Sequence, residues 1–291
     1  MAAGDMKFLN GLGDIAGEYD LFLIDQWGVI HNGGTPYDGA IEALSELRRL
    51  GRPIVILSNS ARRTQVGIEK MDAMGIPREL YDHLVTSGED VWQSLHDRTD
   101  PFYAALGRRC LLFSWGDDRG LTGGGVDLEL VEDIDQADFM LMAGTNREPL
   151  EHYEPVFQAA LARSIPMVCA NPDLVSVTPE GELVICPGQV ARRYEEMGGT
   201  VRWHGKPYRS IYEVCFALYP DARRVVGIGD SMYHDIAGAR AAEIDSLFVC
   251  AGIHAPALDI CWGETPATGN LEALAAETGQ RPDYVIPTFR W

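Results

Sequence analysis

YDLFLID, residues 19–25, is a short apolar run that ends in a carboxylate and leads toward the turn formers Gly33, Gly34 and Pro36. Its length and composition predict a strand buried on both faces. Beyond it, Ile41, Leu44, Leu47 and Leu50 recur at helical spacing, and Gly51 supplies a stop. The same alternation then repeats. PIVILSNS (53–60) reads as a second strand, followed by a helix from about Arg63 to Met74. LVTSG (84–88) reads as a third, with Ser87 placed to cap a helix through Val91 and Leu95. Further strands are predicted at LLFSW (111–115), DFMLMAG (138–144), MVCAN (167–171), VRWHG (201–205), VVGIGD (225–230) and SLFVCAG (246–252). Helices are predicted around 149–163, 189–197, 208–218 and 233–242. SVTPEGELVI (176–185) reads as a hairpin turning at Pro179-Glu180-Gly181, and a helix from Asn270 precedes a last strand, DYVIPTF. Strand and helix alternating in this way predict an α/β fold, a Rossmann-like, doubly wound parallel sheet covered on both faces.

The chain has 291 residues, 46% hydrophobic and 23% charged, enough apolar surface for a large core in about two domains. With 43 acidic against 24 basic residues the net charge is −19. A binder of nucleic-acid polymers carries a basic footprint, so that partner is excluded, while a small anion in a local pocket is not. No run of 18 apolar residues occurs, which excludes a conventional membrane-spanning helix, and the start shows no basic-then-apolar secretory pattern. The six cysteines are scattered without a CxxC pair, as expected of small buried hydrophobes in a reducing cytoplasm.

In open parallel sheets, ligands bind beyond the carboxyl ends of the strands. Asp25 follows the first strand, Ser58 and Asn59 close the second, Lys206 follows VRWHG, and Asp230 follows VVGIG with Asp235 one turn further on. Taken singly, each has a plainer reading as a helix cap or a solvated residue. Taken together, three carboxylates and one ammonium leave an excess of negative charge that calls for a cation. Oxygen-only ligands suit Mg2+.

Four segments, DQWGVIHNG (25–33), LSNS (57–60), HGKP (204–207) and GDSMYHDIAGA (229–239), resemble in order the four motifs of the haloacid dehalogenase superfamily. The long insertion between the second and third, together with ANPD (170–173), resembles the class IIA branch, which includes sugar-phosphate and nucleotide phosphatases. The resemblance implies a catalytic core over 1–83 and 189–291, with an inserted α/β cap domain over 84–188. It also implies a Mg2+-dependent phosphomonoesterase of a small phosphorylated metabolite, with neither nucleic acid nor membrane as partner and a homodimer left open. Asp25 would be the nucleophile, forming an aspartyl-phosphate. Ser58, with backbone N–H groups near Asn59, would bind the phosphoryl group, and Lys206 would neutralise charge. Asp25, Asp230, Asp235 and the backbone carbonyl of residue 27 would hold the metal. In the cap, Asn171 and Asp173 are candidates for the substrate side, against the alternative of an Asx-type turn. Arg62 and Arg63 are weaker candidates for attracting an anionic substrate.

The chain departs from the family at Trp27, where phosphatases of the superfamily carry a second aspartate as general acid/base. That group is worth about 10²–10⁴ in rate. Three explanations compete: a substitute proton donor, His31 or His234; a weak or inactive protein that binds a phosphorylated ligand; and a dehalogenase, which the retained metal pattern disfavours. The indole itself either packs beneath the site or narrows its leaving-group side.

Overall fold

The computed structural model describes residues 6–177 and 183–291, so the turn expected at Pro179-Glu180-Gly181 lies outside the described residues. The chain divides into two compact units, one comprising Met1–Ser58, Ile68–Val85 and Lys206–Trp291, the other Asn59–Gly67 and Thr86–Gly205.

The first unit is built on a seven-stranded sheet in the order Lys7–Phe8, Tyr284–Ile286, Asp245–Val249, Val225–Gly229, Leu21–Ile24, Ile54–Ser58 and His83–Thr86. Pairing is parallel at every junction from Lys7–Phe8 to Ile54–Ser58. Phe22 and Ile24 of YDLFLID enter one apolar layer, with Ile54, Ile56, Val226 and Ile228. Leu21 and Leu23 enter the opposite layer, with Val55, Leu57 and Val225. A strand covered on both sides needs a continuous apolar run, and these positions are all fully or almost fully buried. Helix Ala40–Arg49 packs Ala40, Ala43, Leu44 and Leu47 into the first layer, and helix Arg209–Leu218 packs Ile211, Tyr212 and Cys215 into the second. The doubly wound expectation is met. Strand order reverses between Leu21–Ile24 and Val225–Gly229, with Ile24 opposite Ile228. The carboxyl ends at that switch point carry Asp25 and Asp230.

The second unit holds a five-stranded sheet in the order Val201–Trp203, Met167–Cys169, Phe139–Met142, Arg109–Phe113 and Glu129–Val131. Its pairs are all parallel. The antiparallel strands Val175–Val177 and Leu183–Ile185 form the expected hairpin arms. The sheet's two faces are covered separately, one by Phe157, Val190 and Tyr194 among others, the other by Val91, Leu95 and Tyr103.

Two local readings differ from the sequence expectation. Residues 59–67 and 189–205, grouped with the catalytic core in the sequence reading, pack within the second unit. Strand Val201–Trp203 hydrogen-bonds alongside Met167–Cys169, and helix Pro187–Glu196 buries Val190, Ala191 and Tyr194 against that same sheet. An apolar helical stripe takes whichever open sheet face is nearest, which periodicity alone does not identify. The cap of helix Ser87–Asp97 is Thr86, whose hydroxyl accepts from Glu89 N at 3.1 Å. The Ser87 hydroxyl instead lies within hydrogen-bond distance of two carbonyls, Ala170 O at 2.5 Å and Asn59 O at 2.8 Å, with its one hydrogen to share between them.

Candidate active site

Asp25 leaves its strand with its N–H still bonded to Ile228 O at 2.8 Å, so the sheet's own ladder places its carboxylate beside the neighbouring strand's exit. The chain then turns sharply, with the N–H groups of Ile30 and His31 both donating to Gln26 O. Gly28 lies in this turn at φ +83°, and a Cβ there would sit 2.1 Å from Asp230 Oδ2. A Cβ on Gly252 would fall 2.0 Å from the same oxygen. The Asp230 carboxylate is thus enclosed by two stretches of bare backbone, and Ile253 N donates to its Oδ2 at 2.7 Å. Glycine is needed at both positions because the backbone approaches closer than any side chain permits.

Asp235 reaches the same place through a π-turn over Met232–Ile236. Ser231 O accepts from both Asp235 N at 2.9 Å and Ile236 N at 3.1 Å, widening the turn. Asp235 Oδ2 accepts from Ser231 N at 3.0 Å. Asp25, Asp230 and Asp235 each bring an oxygen to within 4.8 Å of the others. Lys206 Nζ lies 2.5 Å from Asp25 Oδ1 and 2.7 Å from Asp235 Oδ1, with only 4% of its side chain exposed.

Charge is tightly constrained here. Burial alone would push the Lys206 ammonium toward neutrality, but Asp235 and Asp25 overcome it and hold its pKa above the usual lysine value. Asp230 is driven the other way. Burial, then the charges of Asp25 and Asp235, raise its carboxyl well above the ordinary aspartate range, and the Ile253 N–H offsets this only in part. A group of carboxylates short of positive charge, with oxygens converging, is chemically suited to a hard divalent cation such as Mg2+. The fit rests on this donor set. Tyr212, fully buried, stands beside Lys206 and Asp235 in lining a small cavity. Its phenol is kept protonated by burial and by the Asp235 charge.

Ser58 ends the adjacent strand, 4% exposed, and its Oγ accepts from Gln26 Nε2 at 2.7 Å. The first unit therefore gathers Asp25, Lys206, Asp230 and Asp235 directly, while Gln26 ties Ser58 to the turn just after Asp25. Trp27 is 44% exposed, so it does not pack beneath the site. Its indole rests on Gly33, where a Cβ would lie 2.1 Å from Cη2, and meets the His31 ring edge to face at 5.7 Å. His31 is buried, and its Nδ1 accepts from Gly33 N at 3.0 Å. Burial lowers its pKa to about 4. A ring that is neutral at physiological pH and bonded into its own loop is set against the substitute-donor role that the sequence suggests. His234 packs its Nδ1 3.3 Å from Lys206 O.

The remaining candidates belong to the second unit. Asn59 Nδ2 donates to Asp173 Oδ1 at 2.8 Å, and Asp173 N donates to Asn171 Oδ1 at 2.8 Å. The latter bond is the Asx-type turn that the sequence offered as the plainer reading. Arg62 pairs with Asp118 at 3.7 Å, and Arg63 with Glu89 at 2.7 Å while stacking over Trp92. Both arginine charges are thereby answered within the unit. The sequence reading missed Gln26, Tyr212 and the glycine cradle. Only the glycines carried a signal, Gly28 inside the first motif and Gly252 closing the predicted strand SLFVCAG.

Residues 22–119 match the sequence model described as haloacid dehalogenase-like hydrolase, and residues 203–291 match a second, HAD-hydrolase-like model. The chain belongs to the haloacid dehalogenase superfamily. It falls in the class IIA branch and is a hydrolase. This superfamily member is 26% identical over 273 residues to D-glycerol 3-phosphate phosphatase of Mycobacterium tuberculosis (strain ATCC 25618 / H37Rv), across 93% of this chain and 70% of the relative. Its fold superposes on a haloacid dehalogenase-like hydrolase from Brucella suis 1330 with a TM-score of 0.80 and 28% identity, covering 97% and 99% of the two chains. A glycerol phosphate phosphatase from Mycobacterium tuberculosis, solved in complex with magnesium, aligns with a TM-score of 0.68 and 25% identity over 93% of this chain and 76% of that one. No described helix of this superfamily member is long and apolar enough to cross a membrane.

Proposed function

We propose that the protein is a Mg2+-dependent phosphomonoesterase acting on a small phosphorylated metabolite. The observation that carries the reading is the convergence of Asp25, Asp230 and Asp235 within 4.8 Å around the buried Lys206 ammonium. Phosphoryl transfer asks little of a protein beyond a nucleophile, positioning and charge stabilisation, and this set offers all three. Asp25, Asp230, Asp235 and the carbonyl of Trp27 would hold the ion. Bound there, it would supply Lewis-acid stabilisation of the phosphoryl oxygens.

The carboxylate of Asp25 attacks phosphorus, the bond to the leaving oxygen breaks, and water later releases phosphate from the aspartyl-phosphate. Lys206, whose Nζ lies 2.5 Å from Asp25 Oδ1, offsets charge on the nucleophile and on the transferring group. Ser58 donates its hydroxyl hydrogen to a phosphoryl oxygen. Trp27 has no proton to give, and its exposed indole offers a flat face to the leaving group instead. Turnover is therefore slow for alkyl esters and faster for esters whose leaving group needs no protonation. Asn59, Asn171 and Asp173, joined by hydrogen bonds, would contribute on the substrate side as one unit.

The decisive assay is hydrolysis of nitrophenyl phosphate with Mg2+ by the wild type and Asp25→Asn. We expect turnover in the first and a loss of at least about 10³-fold in the second, as for removal of a nucleophile elsewhere. A folded wild type inert toward a broad panel of phosphate esters, yet thermally stabilised by them, would instead identify a ligand-binding protein.

A further inference from the structure

We infer that Gln26 is a positioning residue for phosphoryl recognition, acting through Ser58; the inference rests on the phosphatase reading above. Gln26 immediately follows Asp25, and its Nε2 lies 2.7 Å from Ser58 Oγ. An amide NH2 group can only donate, so Ser58 Oγ is the acceptor in this bond. A hydroxyl has one hydrogen, and that of Ser58 is consequently directed away from Gln26. The hydroxyl is thereby biased to donate elsewhere, on the next strand end to that of Asp25, where a transferred group carrying negative charge requires a donor.

A second observation argues against a filler role. The other end of the same amide, Gln26 Oε1, is buried without a hydrogen-bond partner among the described residues. A residue serving only to occupy space would do better as methionine, which has no acceptor to leave unsatisfied. An amide kept here at that cost is accounted for by what its nitrogen does. The backbone of Gln26 is committed as well, because its carbonyl accepts from Ile30 N and His31 N and anchors the turn carrying Trp27. The side chain thus links the nucleophile's turn to the phosphoryl-binding hydroxyl within the first unit.

A double-mutant cycle with Ser58 tests this. Turnover of nitrophenyl phosphate and competitive inhibition by inorganic phosphate are measured for the wild type, Gln26→Met, Ser58→Ala and the double variant. We expect about 10-fold loss of kcat/KM in Gln26→Met, the order found for partners that orient a functional group. Ser58→Ala should lose about 10²-fold, as for removal of an oxyanion donor. The double variant should lose no more than Ser58→Ala alone, because Gln26 acts only through that hydroxyl. Gln26→Glu keeps the shape but presents acceptors, so it should lose at least as much as Gln26→Met and weaken phosphate inhibition. Losses that multiply in the double variant, or rescue by Gln26→Glu, would overturn the inference while leaving the phosphatase reading intact. A wild type without turnover would overturn both.

Discussion

Trp27 is the residue on which the chemistry turns. In the proposed mechanism it stands where the family resemblance implies an acid/base aspartate, and it lies exposed on Gly33 rather than buried in the core. Exposure makes it replaceable, so Trp27→Asp should cost about 1 kcal/mol of stability or less. The new carboxylate should raise kcat on alkyl phosphates such as glycerol phosphate by about 10-fold or more, within the range that general acid catalysis supplies. Nitrophenyl phosphate should gain much less, and equal gains on both substrates would refute the leaving-group account. His31→Ala makes the counterpart: a neutral ring with its Nδ1 bonded to Gly33 N should, when removed, slow good and poor leaving groups alike. Strand-end residues such as Asp25, Ser58 and Asp230 were legible because each closes an apolar run at the switch point of a doubly wound sheet. Gln26 was not legible, since its partner Ser58 is 32 positions away and only sheet pairing brings them together.

Among the elements, the π-turn Met232–Ile236 decides most. GDSMYHDIAGA reads as an ordinary helix start, and the spacing of Asp230 and Asp235 does not reveal that the turn is widened. Space for the turn comes from Gly229, where a Cβ would lie 1.9 Å from Asp235 Cγ. Gly229→Ala must therefore displace the Asp235 carboxylate or the turn bearing it. The expected cost is about 1–3 kcal/mol, typical of overpacking, read as a lower Tm by thermal denaturation. Displacing Asp235 should also reduce turnover with the protein still folded, and unchanged activity would show that the carboxylate has room to move. The helix at Ser87 carries a similar lesson. Thr86 and Ser87 are both competent caps by composition, and Thr86 prevails because the buried Ser87 hydroxyl is already taken by carbonyls from two other segments.

For the molecule as a whole, the carboxylate cluster is a store of repulsion in the absence of a cation. The folded state raises the Asp230 pKa above the unfolded value of 3.8, so between that pH and its raised pKa this carboxyl binds more protons in the folded than in the unfolded chain. Without metal, stability from this group is present at low pH and is lost as pH rises. Asp230→Asn should therefore match or exceed the wild type in Tm at neutral pH in a chelator. In Mg2+ at about 100 times its Kd, the wild type should gain about 2.7 kcal/mol, and Asp230→Asn should gain almost none. Scanning fluorimetry in EDTA and in Mg2+ checks both arms. An equal Mg2+ response in the two proteins would remove Asp230 from the metal site.

The sequence by itself determined the alternation of strands and helices, the doubly wound sheet and the identities of the groups at its strand ends. Those features depend on local patterning, because a strand buried on both faces must be apolar along its length and the chain must turn where that run stops. Tertiary structure alone decided that residues 189–205 complete the second unit's sheet, that His31 is held neutral and that Trp27 faces outward. It also decided that Gln26 holds Ser58. Each of these depends on which distant segment supplies a hydrogen-bond partner or removes water, and burial and pairing across long sequence separations leave no period in the chain to be read.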